Sequence, residues 1–150
     1  MQRETLGRLL VLAQFGLIAA LVAWSLPSFL AGRSPIGAWL LAISGIGVGL
    51  SALAANRPSN FNVRPTPREG GQLAVGGAYR WIRHPMYSCV MLLGAACAWS
   101  RGTAESWAAA IALVLVLSIK ASIEERWLQE VFPQYAAYRL RTRRFIPGIY

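Results

Sequence analysis

Four stretches of this chain carry no charged side chain: Leu9 to Gly32, Ser34 to Asn56, Pro85 to Ser100 and Ser106 to Ile119, which are 24, 23, 16 and 14 residues long. A hydrocarbon core about 30 Å thick takes about 20 helical residues to cross, so the first two runs suffice alone. The fourth reaches spanning length when extended from Ala104 to Ile123, with Lys120 snorkelling at one end and Glu105 at the far interface. The third is read as spanning with it, the two forming a hairpin flanked by Trp99 and Trp107, a residue type that gathers at membrane interfaces. On hydropathy alone these two short runs also fit a re-entrant hairpin or buried helices. The expected fold is an all-α polytopic membrane protein with four transmembrane helices, a structured cytoplasmic loop and a C-terminal amphipathic cytoplasmic helix. A composition of 55% hydrophobic and 14% charged residues, with mean hydropathy +0.43, is too apolar for an ordinary soluble domain.

Basic residues collect on the cytoplasmic side of short loops, which orients the spans. Of 15 Lys and Arg, Arg33 and Arg101 fall in the two turns assigned outside, and the other 13 lie at the N-terminus, between 57 and 84, or toward the C-terminus. Both termini are therefore expected to be cytoplasmic. Arg3 and Arg8 precede the first run as in a signal peptide, but Trp24, Pro27 and Phe29 occupy the place of a small-residue cleavage site, so a retained helix is expected, kinked or ended near Pro27. The net charge of +9 reads as this orientation signal plus attraction to anionic headgroups. Nucleic acid is not an expected partner, because the arginines are scattered over loops instead of forming a groove with stacking aromatics. Arg139, Arg141, Arg143 and Arg144 are read as holding the tail against the bilayer, and Arg80 and Arg83 suit headgroup anchoring and ligand contact about equally.

Several chemistries are poorly supplied. One histidine, two cysteines and no aspartate make no dedicated zinc or iron site and no Ser-His-Asp arrangement, so no metal is expected. Cys89 and Cys97, eight apart on a helix and so separated by roughly 12 Å of rise, do not bridge each other. The string Gly45, Gly47, Gly49 lies inside an apolar span and not at a strand-to-helix turn. Gly45 and Gly49 are spaced for close helix packing, and no Rossmann domain or internal repeat accompanies them.

The segment from Arg57 to Arg83 contains Pro58, Pro65, Pro67 and the pairs Gly70-Gly71 and Gly76-Gly77, which oppose a long helix. It also carries Phe61, Val63, Leu73, Val75, Tyr79, Trp81 and Ile82, enough apolar surface to fold against the spans and serve as a binding wall. From Lys120 onward Trp127, Leu128, Val131, Phe132, Tyr135 and Tyr138 recur at helical spacing, with a break expected near Pro133. Lys120 and Glu124, four apart, share a helix face, and a charged pair at membrane depth is a functional candidate.

The run Gly77-Ala-Tyr79-Arg-Trp-Ile-Arg83-His84-Pro85-Met86-Tyr87 is followed by two hydrophobic segments, by Glu124-Glu125, and by a tail from Tyr135-Ala-Ala-Tyr138 to Phe145-Ile146-Pro147. Together these resemble the isoprenylcysteine carboxyl methyltransferases and their relatives among membrane phospholipid methyltransferases, over roughly residues 60 to 147. The resemblance implies one integral membrane methyltransferase domain over 1–150, with 1–56 forming two N-terminal spans and 57–150 the cofactor-binding loop, helical hairpin and tail. It implies S-adenosylmethionine as cofactor, lined by Leu73, Ala74, Tyr79, His84, Pro85, Met86, Tyr87 and Glu124. It also implies a lipophilic small-molecule or lipid substrate that enters from the membrane. Lys120 stands where the family places a substrate-binding arginine, keeping the charge but not the planar fork that suits a carboxylate. Lys120 would orient a carboxylate acceptor, and Glu125 or Glu124 would take the proton from an amine. Phe145 to Pro147 are expected to close over the cofactor as a lid. A non-enzymatic four-helix membrane protein is the reading of a different class.

Overall fold

The computed structural model describes residues 2–56 and 73–149. Pro58, Phe61, Val63, Pro65, Pro67 and the Gly70-Gly71 pair lie outside the described residues. The elements are α1 (Gln2–Leu30), α2 (Ile36–Ala55), a 3-10 turn (Gly77–Arg80), α3 (Pro85–Arg101), α4 (Ala104–Val131) and α5 (Tyr135–Arg141). Among the described residues there is no strand, only a single parallel bridge between Ile82 and Arg143.

Helix ends follow local chemistry. α1 runs one turn past Pro27 and stops where Gly32 adopts φ +64°, with the Arg33 N–H donating to Ser28 O at 2.9 Å. α3 begins with Pro85 in its first turn, where the missing N–H costs nothing, and closes on Gly102 at φ +70°. α4 opens on a reciprocal cap between Thr103 and Ser106. It then continues without interruption through Lys120 to Val131, so the expected C-terminal amphipathic helix is the end of α4 followed, after a break at 132–134, by the short α5.

Three helices, α1, α2 and α4, are long and apolar enough to cross a membrane. α3 has 17 residues, a rise of roughly 25 Å. The outward faces of the bundle are apolar, with Leu12, Leu40, Ile43, Ile111 and Leu115 all exposed. In water such a surface would drive association, whereas lipid leaves it satisfied. The chain is thus a multi-pass, all-helical membrane protein.

α3 is the central element, packed on α1, α2 and α4. The α2 contact uses small residues in antiparallel register: Gly37 lies against the Trp99 ring, Gly45 against Leu92 and Leu93, and Gly49 against Cys89. A Cβ on Gly45 would stand 3.2 Å from Cys89 O, Leu92 Cβ and Leu93 Cγ, while one on Gly47 would meet nothing within 4 Å. On the other side Leu21, Ala98, Ala109, Ala110, Leu113 and Leu117 form the apolar core joining α1, α3 and α4. These contacts bring residues 84–87, 120–128 and the tail to one end of the bundle. Gly45→Leu is expected to lower the free energy of unfolding in detergent titrations by about 1–3 kcal/mol through overpacking. Gly47→Leu, which meets open space, should not lower it, and equal losses in the two variants would contradict this helix register.

Candidate active site

The site is assembled by three segments far apart in sequence. The strap 77–84 is fixed first by Gly77, at φ +52°, where a Cβ would collide with Ala55 Cβ at 2.7 Å. Next to it the Ala78 N–H donates to Ser51 Oγ at 3.1 Å. The tail then lies along the strap: the Arg83 N–H donates to Arg143 O (2.8 Å), the Arg143 N–H to Trp81 O (3.0 Å) and the His84 N–H to Arg144 O (3.1 Å). Ser88 Oγ donates to Phe145 O at 2.7 Å, and the buried Phe145 ring packs 6.0 Å from the His84 ring. Phe145, expected in a lid, is therefore bolted to the strap in this structure.

Glu125 clasps these segments together. Its Oε1 accepts from Arg83 Nε at 2.8 Å and its Oε2 from Arg144 Nη2 at 2.8 Å, while His84 Nε2 lies 3.3 Å from Oε1. The Glu125 side chain is only 4% exposed. Arg83 also donates to the carbonyls of Thr142 (2.6 Å) and Arg139 (3.4 Å). Glu125 is thus occupied as a tie between α4, strap and tail. Arg144, read from sequence as holding the tail on the bilayer, and Arg83, left open between headgroup and ligand contact, both serve that tie.

Glu124, the neighbouring carboxylate, is placed differently. Its Oε2 accepts from the Tyr87 hydroxyl at 3.0 Å and lies 3.6 Å from His84 Nδ1, yet its side chain remains 32% exposed. It faces a cleft lined also by Leu73, Ala74, Tyr79, Phe132, Tyr135, Tyr138 and Arg83, whose guanidinium is tied to Glu125. The interior of about 100 Å³ is smaller than the ~300 Å³ or more of a whole drug-sized ligand's pocket, so it suits the charged centre of a larger molecule. Tyr79 is held by Asn56 Nδ2, which donates to its hydroxyl at 3.3 Å, and by Tyr138, whose hydroxyl donates to Tyr79 O at 2.7 Å. Burial pushes the Tyr79 phenol up to about 12, against the Asn56 hydrogen bond and with the nearby Glu124 charge. Tyr135 and Tyr138 are likewise raised, chiefly by burial, so all three rings stay neutral at ordinary pH. The Tyr135 hydroxyl is buried with no hydrogen-bond partner among the described residues, which leaves a donor and acceptor for a polar ligand.

Of the residues expected to line a cofactor, the cleft brings together Leu73, Ala74, Tyr79 and Glu124. His84 and Tyr87 reach it through Glu124, their rings stacked at 5.4 Å. Pro85 and Met86 form the first turn of α3 and are not among its lining residues. Lys120 is 1% exposed, its Nζ 5.4 Å from the Tyr87 ring centroid and donating to Gln14 Oε1 of α1. Gln14 escaped the sequence reading, and Tyr135 and Tyr138, noted there as part of the tail, were not among the residues expected to line the site. The signal for Gln14 was a lone amide in an uncharged apolar run. Among the described residues no group of three His, Cys, Asp or Glu side chains is placed to hold a metal.

Residues 34–135 match the phospholipid methyltransferase family. Over 153 aligned residues the chain is 30% identical to the cobalt-zinc-cadmium resistance protein CzcN of Cupriavidus metallidurans, covering 97% of this chain and 69% of that protein. No solved structure matches. Removing a buried carboxylate that holds two guanidinium groups strands their charges. Glu125→Ala is accordingly expected to destabilise the folded protein by about 3–5 kcal/mol in detergent unfolding, and Glu124→Gln by less than about 1 kcal/mol. Equal, small losses would contradict the assignment of Glu125 as the tie.

Proposed function

The chain belongs to the phospholipid methyltransferase family, and we propose that it transfers a methyl group from S-adenosylmethionine to a lipophilic acceptor presented by the bilayer. The observation that carries this reading is the Glu124 carboxylate, oriented by Tyr87 and left open in a cleft walled by Tyr79, Phe132, Tyr135 and Tyr138. A carboxylate beside neutral aromatic faces suits a small organic cation, and the cofactor's sulfonium is one. The unpartnered Tyr135 hydroxyl offers a hydrogen bond to its polar part. Held there, S-adenosylmethionine would supply an electrophilic methyl group for the acceptor.

The protein's own contribution is placement and desolvation. The strap and α5 hold the aromatic walls, and the tie at Glu125 keeps Glu124 aimed into the cleft. Between acceptor classes, an amine is favoured over the carboxylate of the isoprenylcysteine enzymes. Lys120, the cation expected to orient a carboxylate, is buried on Gln14 and under Tyr87 and does not line the cleft. Glu124 would then take the proton that the amine releases, leaving Glu125 to the scaffold. We take α3 as the fourth span and both termini as cytoplasmic, on the charge distribution given above. The name of the relative ties that protein to metal resistance. The donor set here offers no ligand cluster among the described residues, so methyl transfer remains the preferred reading over metal handling or a purely structural role.

Titration calorimetry of S-adenosylmethionine into the detergent-purified protein is expected to show saturable binding. Glu124→Ala should weaken it at least tenfold, and Tyr135→Phe roughly fivefold, the worth of about one hydrogen bond. A folded wild-type protein that binds nothing in detergent or in lipid nanodiscs would overturn the reading.

A further inference from the structure

The tail arginines divide into two kinds. Arg83 and Arg144 share the carboxylate of Glu125. Arg139, Arg141 and Arg143 are exposed, and among the described residues none of them pairs with a carboxylate. Burial of Tyr135 and Tyr138 turns the opposite stripe of α5 outward, so that Ala136, Arg139, Leu140 and the following Arg143 form one surface. This stripe lines a groove of about 620 Å³, bounded by Gln129 and Pro133 and containing no acidic residue. Arg139 and Arg143 also line an adjoining hollow of about 390 Å³ that reaches Arg144 and Ile149. Beside these guanidinium groups Leu140 and Ile149 stand 83% and 78% exposed, with Ile146 and Val131 also uncovered.

We propose that the groove between the end of α4 and the tail is a binding site for the phosphodiester headgroup of an anionic phospholipid in the adjacent leaflet. Arg139 and Arg143 would hold the phosphate, and Leu140 and Ile149 would lie along the glycerol and upper acyl chain. The argument is one of complementarity. Guanidinium groups bind phosphate oxygens in a planar fork, and these two share one cavity without an internal counter-charge. Exposed aliphatic side chains next to them favour a ligand that is amphiphilic over a free phosphate ion. The groove opens on the far side of α5 from the Glu124 cleft, with which it shares no lining residue. A lipid bound there would leave the cleft open, and the site would fasten the tail that in turn supplies Arg144 to Glu125.

Native mass spectrometry of the full-length protein with phosphatidylglycerol or phosphatidylcholine of matched acyl chains tests this. Phosphatidylglycerol is expected to bind at least fivefold more tightly, at about fivefold per guanidinium near the headgroup plane. Arg139→Gln/Arg143→Gln should reduce it to the phosphatidylcholine level, while Arg33→Gln/Arg101→Gln at the opposite end of the bundle should leave the preference intact. Equal binding of the two lipids, a preference that survives Arg139→Gln/Arg143→Gln, or displacement of the lipid by millimolar inorganic phosphate would each overturn the proposal.

Discussion

One buried carboxylate organises the working end of this molecule. Glu125 lies where α4 leaves the apolar core, and it gathers a guanidinium from before α3 and another from the C-terminal tail. Removing a carboxylate and two arginines from water is costly, and the cost is offset only when geometry is good and the remaining donors are satisfied. The geometry is good: each Glu125 oxygen accepts at 2.8 Å, and Arg83 Nη1 donates to the carbonyls of Thr142 and Arg139. The tail is thereby drawn against the strap, and the parallel bridge at Ile82 and Arg143 follows from that juxtaposition. The adjacent residue on the helix, Glu124, points elsewhere and keeps part of its surface open. Two consecutive glutamates thus take different roles because their helix positions, about 100° apart, give one to the protein's own cations and the other to a cleft.

The membrane setting explains why such a tie is used. In a bilayer the helices gain no hydrophobic advantage from packing on each other, so close contact relies on small residues and on polar pairs. Gly45 and Gly49 bring α2 onto α3, and Gln14 with Lys120 joins α1 to α4. Above this layer the chain leaves the lipid, and its irregular strap must have its backbone groups satisfied by protein. The tail does this through the carbonyls of Arg143 and Arg144 and through the Arg143 N–H, which donates to Trp81 O. The cleft walls consequently rest on partners fixed by these hydrogen bonds.

Much of this was legible in the sequence. The uncharged runs located the helices, since the cost of burying a charge in lipid leaves a plain record in composition, and Gly45 and Gly49 announced a close helix contact. The strap and Glu124 were singled out through a motif, because chemistry at one atom needs particular residue types at fixed spacing. The division between Glu124 and Glu125 was not legible. It depends on which way two neighbouring side chains face once the tail has folded back, a contact spanning 19 to 42 residues of chain. Arg83 and Arg144 were hidden for the same reason, as arginines at a membrane surface are common and only tertiary structure tells a tied one from a free one. Gln14 was overlooked because it lies in the first helix, where no motif directs attention.

The central claim is that the methyl donor lies in the cleft between strap, α4 and α5. The most direct measurement is ultraviolet cross-linking of radiolabelled S-adenosylmethionine to the purified protein, followed by peptide mapping. Label confined to peptides covering 73–87 and 124–138, and suppressed by excess unlabelled S-adenosylmethionine, is the predicted result. Competable label that falls in α1 or α2 alone would contradict the account.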